Sequence, residues 1–201
     1  MPSHPATSPT IPARLSALAD RSWHAVTIGR SGASIWRIEG EGETLFLKSA
    51  PRHALGELPG EVARLSWLAT TPIPAPHIRD SFVHNGQDWL LMTALPGADL
   101  THSVGRPDEL CNVLATGLRA LHALDTGTCP LDRRLDAQLA DGAARVAAGL
   151  VDESDFDPAR RGLTAGAVLD WLMAHRPRGE DLVVAHGDAS LPNIMARNGA
   201  F

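Results

Sequence analysis

The feature that most constrains this chain is a change of hydrophobic period at Leu95-Pro96-Gly97. Before it, short runs rich in β-formers alternate with glycine-bearing turns. Trp23–Ile28, Ser34–Ile38 and Thr44–Lys48 read as strands, joined by Gly29-Arg30-Ser31-Gly32-Ala33 and Glu39-Gly40-Glu41-Gly42, and such closely spaced runs imply an antiparallel meander. Glu57–Thr70 carries Val62, Leu65, Leu68 and Ala69 at helical spacing, with Pro59 near its start where proline is tolerated. His77–Val83 and Asp88–Ala94 follow as two more strands around an Asn85-Gly86 turn. After Gly97 the period lengthens. Leu110, Val113, Leu114, Leu118, Leu121 and Leu124 mark one amphipathic helix over Asp108–Asp125, and further helices are expected at Asp132–Gly149 and Ala165–His175. The expected fold class is α+β. A mobile tail covers residues 1–20, a β-rich lobe 21–95 and a mainly helical lobe 96–201.

The last residues bear on completeness. Leu182–Ala185 reads as a β run and Asn193–Arg197 as a strand, after which Asn198-Gly199 is a hairpin signal with only Ala200 and Phe201 beyond it. A strand without its return leaves an unpaired edge, so the expectation is a C-terminally truncated piece of a longer protein.

Composition narrows the partners. The net charge is −5 with no basic run, which argues against nucleic acid. No apolar run reaches the roughly 20 residues of a membrane span, and no secretory leader is evident. Cys111 and Cys129 form no Cys-x-x-Cys pair and read as reduced thiols, which suits a cytoplasmic protein.

Chemistry concentrates in His186-Gly187-Asp188-Ala189-Ser190-Leu191-Pro192-Asn193. In a loop of the form Asp-x-x-x-x-Asn, the aspartate can take a hydroxyl proton while the asparagine turns back toward Mg²⁺, and protein-kinase catalytic loops share this spacing. A turn-capping aspartate produces the same letters, so upstream residues matter. Lys48 ends a strand, where a kinase lysine meets phosphates, and Glu61 lies on the next helix within reach of it. The small-residue turn at Ser31 and Gly32 can cover phosphates, and Thr93, Ala94 and Leu95 fall where a hinge offers backbone groups to adenine. Taken singly, each has a blander reading: a solvated lysine, an exposed helix carboxylate, an ordinary hairpin. Together they describe a protein-kinase-like arrangement using ATP and Mg²⁺.

The chain resembles the aminoglycoside 3′-phosphotransferases, the kanamycin and neomycin kinases, and in particular their type II branch. The likeness rests on Leu182–Met195, Ala63–Thr71, Asp88–Leu91 and Ala148–Asp152, and it runs from about Trp23 to Phe201. It implies ATP- and Mg²⁺-dependent phosphorylation of an aminoglycoside 3′-hydroxyl, conferring resistance. By matched position it makes Asp188 the catalytic base, Asn193 a metal ligand, Lys48 the phosphate-contacting lysine with Glu61 as its partner, and Asp157 a contact for the cationic drug. Pro158 stands where a second acidic residue is usual, and Ser190 stands where the family usually has cysteine, a change expected to matter little. The family's later Ile-Asp-x-Gly-Arg segment, with its metal-binding aspartate, has no counterpart before Phe201.

Two other readings stay open: a kinase of the same fold acting on another small hydroxyl substrate such as choline, and a kinase-fold fragment without turnover. A serine-hydrolase reading of Gly29–Ala33 fails because Ala33 breaks the Gly-x-Ser-x-Gly pattern and no strand-to-helix elbow is present.

Overall fold

A computed structural model describes residues 11–26, 33–103 and 106–197. They form two compact units, one running to Leu124 and resuming at Ala185, the other spanning Asp125–Val184.

The first unit is built on a five-stranded antiparallel sheet. Its strands are β1 (Ser22–Ala25), β2 (Ser34–Glu39), β3 (Leu45–Pro51), β4 (Ile78–His84) and β5 (Gln87–Thr93), in the order β1-β2-β3-β5-β4. The turn between β4 and β5 shows why Asn-Gly was the right signal there. Asn85 and Gly86 both take positive φ, 49° and 71°, which matches the twist of a tight hairpin.

Side-chain alternation along β3 sorts the sheet into two faces. Leu45 and Leu47 point into a core with Ile38, Trp89 and Leu91, while Phe46 and Ala50 join Leu58, Leu65, Leu90 and Met92 on the opposite face. The second face is covered by α1 (Leu58–Leu68), whose Leu58, Val62 and Leu65 lie on one side at helical spacing. Lys48 shares the parity of Phe46 and Ala50, so it too faces α1. β5 lies between β3 and β4, and its residues from Trp89 to Thr93 are all buried.

The other face is closed by the N-terminal segment. Residues 11–20 belong to the expected mobile tail, but here Ala13–Leu18 forms a 3₁₀ helix and Leu15 is 3% exposed within the first core. Arg14 makes two hydrogen bonds to Asp80 on β4, at 2.6 and 2.9 Å, and its guanidinium lies 5.2 Å from the Phe82 ring centre. The Asp80 carboxyl is accordingly held below its ordinary range, first by the Arg14 hydrogen bond. Leu15, with Ile11 and Leu18 packed against the same core, and the Arg14–Asp80 ion pair dock the segment.

Past β5 the chain makes a short strand, β6 (Ala98–Asp99), then α2 (Pro107–His122). β6 pairs antiparallel with β7 (Met195–Ala196), nearly a hundred residues later. The expected strand Asn193–Arg197 is therefore shorter than expected, and among the described residues its partner is β6. Ala200 and Phe201, the expected return strand, lie outside the described residues. Leu100, Val113 and Ile194 form a small core beneath this ribbon.

The second unit contains α3 (Leu135–Ala147) and α4 (Ala165–Ala174). Each helix start is capped: Glu180 accepts from the Leu135 N–H at 2.7 Å, Glu153 from the Ala165 N–H at 2.7 Å, and Thr164 from the Ala167 N–H at 3.2 Å. The expected β run Leu182–Ala185 is not a strand. Leu182 and Val183 are exposed, and no described segment pairs with them, so their β propensity has no ladder to join.

Candidate active site

Two of the expected side-chain pairs form within the first unit. On the sheet, the Lys48 ammonium donates to Glu61 Oε1 at 2.6 Å, and both side chains are about one-fifth exposed. The local cause is simple. Strand parity turns Lys48 toward α1, and Glu61, three residues after Leu58 and four before Leu65, lies on the inward side of that helix. One ammonium N–H is taken by Glu61, and among the described residues no other acceptor engages the remaining two.

The second pair is in the loop. A 3₁₀ turn spans Leu191–Asn193, with Pro192 in its first positions and the Asn193 N–H bonded to Ser190 O at 2.9 Å. The turn swings the Asn193 side chain back, so that Nδ2 donates to Asp188 Oδ2 at 2.7 Å and to Ser190 Oγ at 3.0 Å. The exposed Asp188 carboxylate can accept a proton. Ile194, 2% exposed, anchors the turn from below against Leu100, whose N–H donates to Ile194 O at 3.1 Å.

The three residues expected at a hinge have different backbone partners. Thr93 is buried, and it grips His77 twice: its N–H donates to His77 O and its hydroxyl accepts from the His77 N–H, both at 3.0 Å. The Ala94 N–H is committed to Thr44 O at 2.9 Å. Among the described residues the Leu95 N–H makes no hydrogen bond, which leaves it as the hinge donor available to a ligand.

Asp157 lies in the second unit, where it accepts from the Arg160 N–H at 3.0 Å and pairs with the Arg160 guanidinium. Ser31 and Gly32 lie outside the described residues. Two further residues, Gly97, read from the sequence as a boundary, and Ser190, read as a minor change, make contacts here that the sequence did not indicate. Gly97 has φ +117°, and a Cβ there would sit 2.3 Å from Ala196 O. Ser190 holds Asn193 by both its backbone oxygen and its hydroxyl. A serine three residues before the metal-ligand candidate, with proline between, was the available signal for the second.

The donor set can be tested against Mg²⁺. Both Asn193 amide hydrogens are used within the loop, so its Oδ1 is free of donors among the described residues. It is an amide oxygen on a residue bonded to the Asp188 carboxylate, and hard oxygens of this kind are what Mg²⁺ selects. No group of three or more His, Cys, Asp or Glu among the described residues forms a self-contained metal cage. The fit is to an ion held by one or two protein oxygens plus phosphates and water.

Comparison with known proteins bears directly on this geometry. The family model described as "Phosphotransferase enzyme family" matches residues 22–201. The chain belongs to that family. It is 38% identical over 181 residues to an aminoglycoside 3′-phosphotransferase of Streptomyces fradiae, covering 86% of this chain and 68% of the relative. An Escherichia coli aminoglycoside 3′-phosphotransferase is 36% identical over 186 residues, covering 88% of this chain and 67% of its own length. The chain thus spans about two thirds of these relatives. The crystal structure of an aminoglycoside-3′-phosphotransferase of type VIII superposes with a TM-score of 0.77 at 38% identity, over 87% of this chain and 66% of that one. An aminoglycoside phosphotransferase of Streptomyces rimosus, solved in complex with ADP and streptomycin, gives 0.69 at 26% identity, over 86% of this chain and 64% of that one. The α+β, protein-kinase-like fold expected from the sequence is the fold of this phosphotransferase family.

Proposed function

We propose that this chain carries ATP-binding and catalytic elements for phosphorylating the 3′-hydroxyl of an aminoglycoside such as kanamycin or neomycin, the reaction that confers resistance. The observation that carries the reading is the 2.6 Å Lys48–Glu61 pair. A lysine held this way presents a fixed positive charge, with donors to spare, to the phosphates of a nucleotide. The resemblance in the residues around it, and relatives named as aminoglycoside 3′-phosphotransferases, supply the substrate class.

The roles follow from chemistry. The Leu95 N–H reads the adenine edge and Lys48 holds the phosphates. Residues 21–95 thereby serve as the nucleotide lobe. Residues 96–201 carry the loop. Asp188 orients the attacking hydroxyl and accepts its proton as the new oxygen–phosphorus bond forms and the bond to the bridging oxygen of ADP breaks. Asn193 Oδ1, with Asp188 beside it, would hold Mg²⁺, which when bound neutralises charge on the phosphate oxygens. Asp157 would draw the cationic drug once freed from Arg160. No described helix is long and apolar enough to cross a membrane, and we place the activity in the cytoplasm, where ATP is available.

The experiment is direct. The 201-residue chain is incubated with ATP, Mg²⁺ and kanamycin, and phosphorylated drug is read by mass spectrometry. Product formed by the chain and abolished in Asp188→Ala supports the reading. Choline phosphorylated in place of kanamycin overturns the substrate class. Nucleotide binding without any transfer assigns the chain a binding role alone.

A further inference from the structure

We infer that the Ser190 hydroxyl is a positioning group for Asn193, which departs from the expectation that serine in place of cysteine matters little. The functional half of this inference rests on the proposed ATP- and Mg²⁺-dependent reading.

The argument begins with the amide. The Asn193 Nδ2 has two hydrogens and three oxygens in reach: Asp188 Oδ2 at 2.7 Å, Ser190 Oγ at 3.0 Å and Asp188 O at 3.3 Å. An ionised carboxylate accepts and cannot donate, so Asp188 alone decides which end of the amide faces it. With that contact alone, the carboxamide can still swing about its last torsion, which is a broad, soft one. The Ser190 hydroxyl takes the second hydrogen and holds the amide plane. Ser190 also accepts the Asn193 backbone N–H at 2.9 Å, so both ends of the residue are tied to one neighbour. The result is an Oδ1 directed away from the loop's own donors. Cysteine at this position would offer a weaker acceptor at a longer distance.

The test uses the full chain and two readouts. The first is the Asn193 side-chain NH₂ signal in ¹⁵N NMR, assigned by its loss in Asn193→Asp, with its proton exchange rate measured without any ligand. The second is the gain in ATP affinity on adding Mg²⁺. In Ser190→Ala the exchange rate rises and the Mg²⁺-dependent gain falls, each roughly 3- to 10-fold, the worth of one net hydrogen bond. Ser190→Thr keeps a hydroxyl and stays within about twofold of wild type in both. An unchanged NH₂ signal in Ser190→Ala overturns the inference. So does a loosened amide with an undiminished Mg²⁺ gain, or an equal loss in the threonine variant. Wild-type chain that binds no ATP under either condition sinks the ATP reading itself, and the amide signal still decides the Ser190 contact.

Discussion

Replacing Gly97 with alanine tests whether the β6–β7 ribbon is held by a backbone contact. Two costs are separable. Gly97 has φ +117°, where an L side chain is strained by roughly 1–2 kcal/mol. The added Cβ would also lie 2.3 Å from Ala196 O and 2.9 Å from Ala196 C, both backbone atoms that no rotamer change can move. β7 must retreat by on the order of 1 Å, loosening the β6–β7 bonds at about 0.5–1.5 kcal/mol each and disturbing the packing of Leu100 on Ile194. The expected total is about 3–5 kcal/mol. Gly86→Ala is the matched control: φ is +71°, yet nothing lies within 4 Å of the new Cβ, so only strain of roughly 1–2 kcal/mol remains. Urea unfolding followed by tryptophan fluorescence gives both values. Hydrogen exchange at the Leu100 amide, bonded to Ile194 O, reads the ribbon locally. A difference between the two variants under about 0.5 kcal/mol, with Leu100 protection unchanged, would refute the contact argument.

Other outcomes follow from the same geometry. Lys48→Met should weaken ATP binding by about tenfold or more, since a charge-assisted hydrogen bond contributes about 1.5–3 kcal/mol, and Glu61→Gln should weaken it less; calorimetry showing wild-type affinity for Lys48→Met would remove the lysine from the site. Leu15→Ala should cost about 2–5 kcal/mol in urea titrations and exposed Ser16→Ala under about 0.5, whereas equal effects would mean that the N-terminal segment is not part of the core. Because Asp80 titrates below its ordinary value when folded, the Arg14–Asp80 tie contributes fully above the unfolded carboxyl pKa. That contribution is lost as pH falls through the depressed value. Tryptophan emission near Trp89 should report release of the segment on acidification in wild type, and no such step in Asp80→Asn.

The sequence by itself determined what near neighbours control. Lys48 at the end of a strand and Glu61 on the helix after it marked a candidate pair, which the alternation along β3 and the inward side of α1 then brought together. Asn85-Gly86 specified its turn, and the helices over 107–122, 135–147 and 165–174 followed their apolar period to within a few residues. Asp188 and Asn193 were legible because the five-residue separation is short enough for one turn to bring them together. Tertiary structure decided what depends on distant partners. Nothing local in Met195-Ala196 names Ala98-Asp99 as its mate, and nothing in Leu182–Ala185 says that a strand-forming run will find no ladder. Leu15, with Ile11 and Leu18 beside it, sits in the expected tail until the sheet offers it a core. Gly97 read as a boundary, and only the approach of Ala196 shows why no side chain fits there. Propensity and period are short-range quantities, while pairing and burial are set by what the rest of the chain brings alongside. That is also why the Ser190 hydroxyl gained a role only once Asn193 was seen folded back onto it.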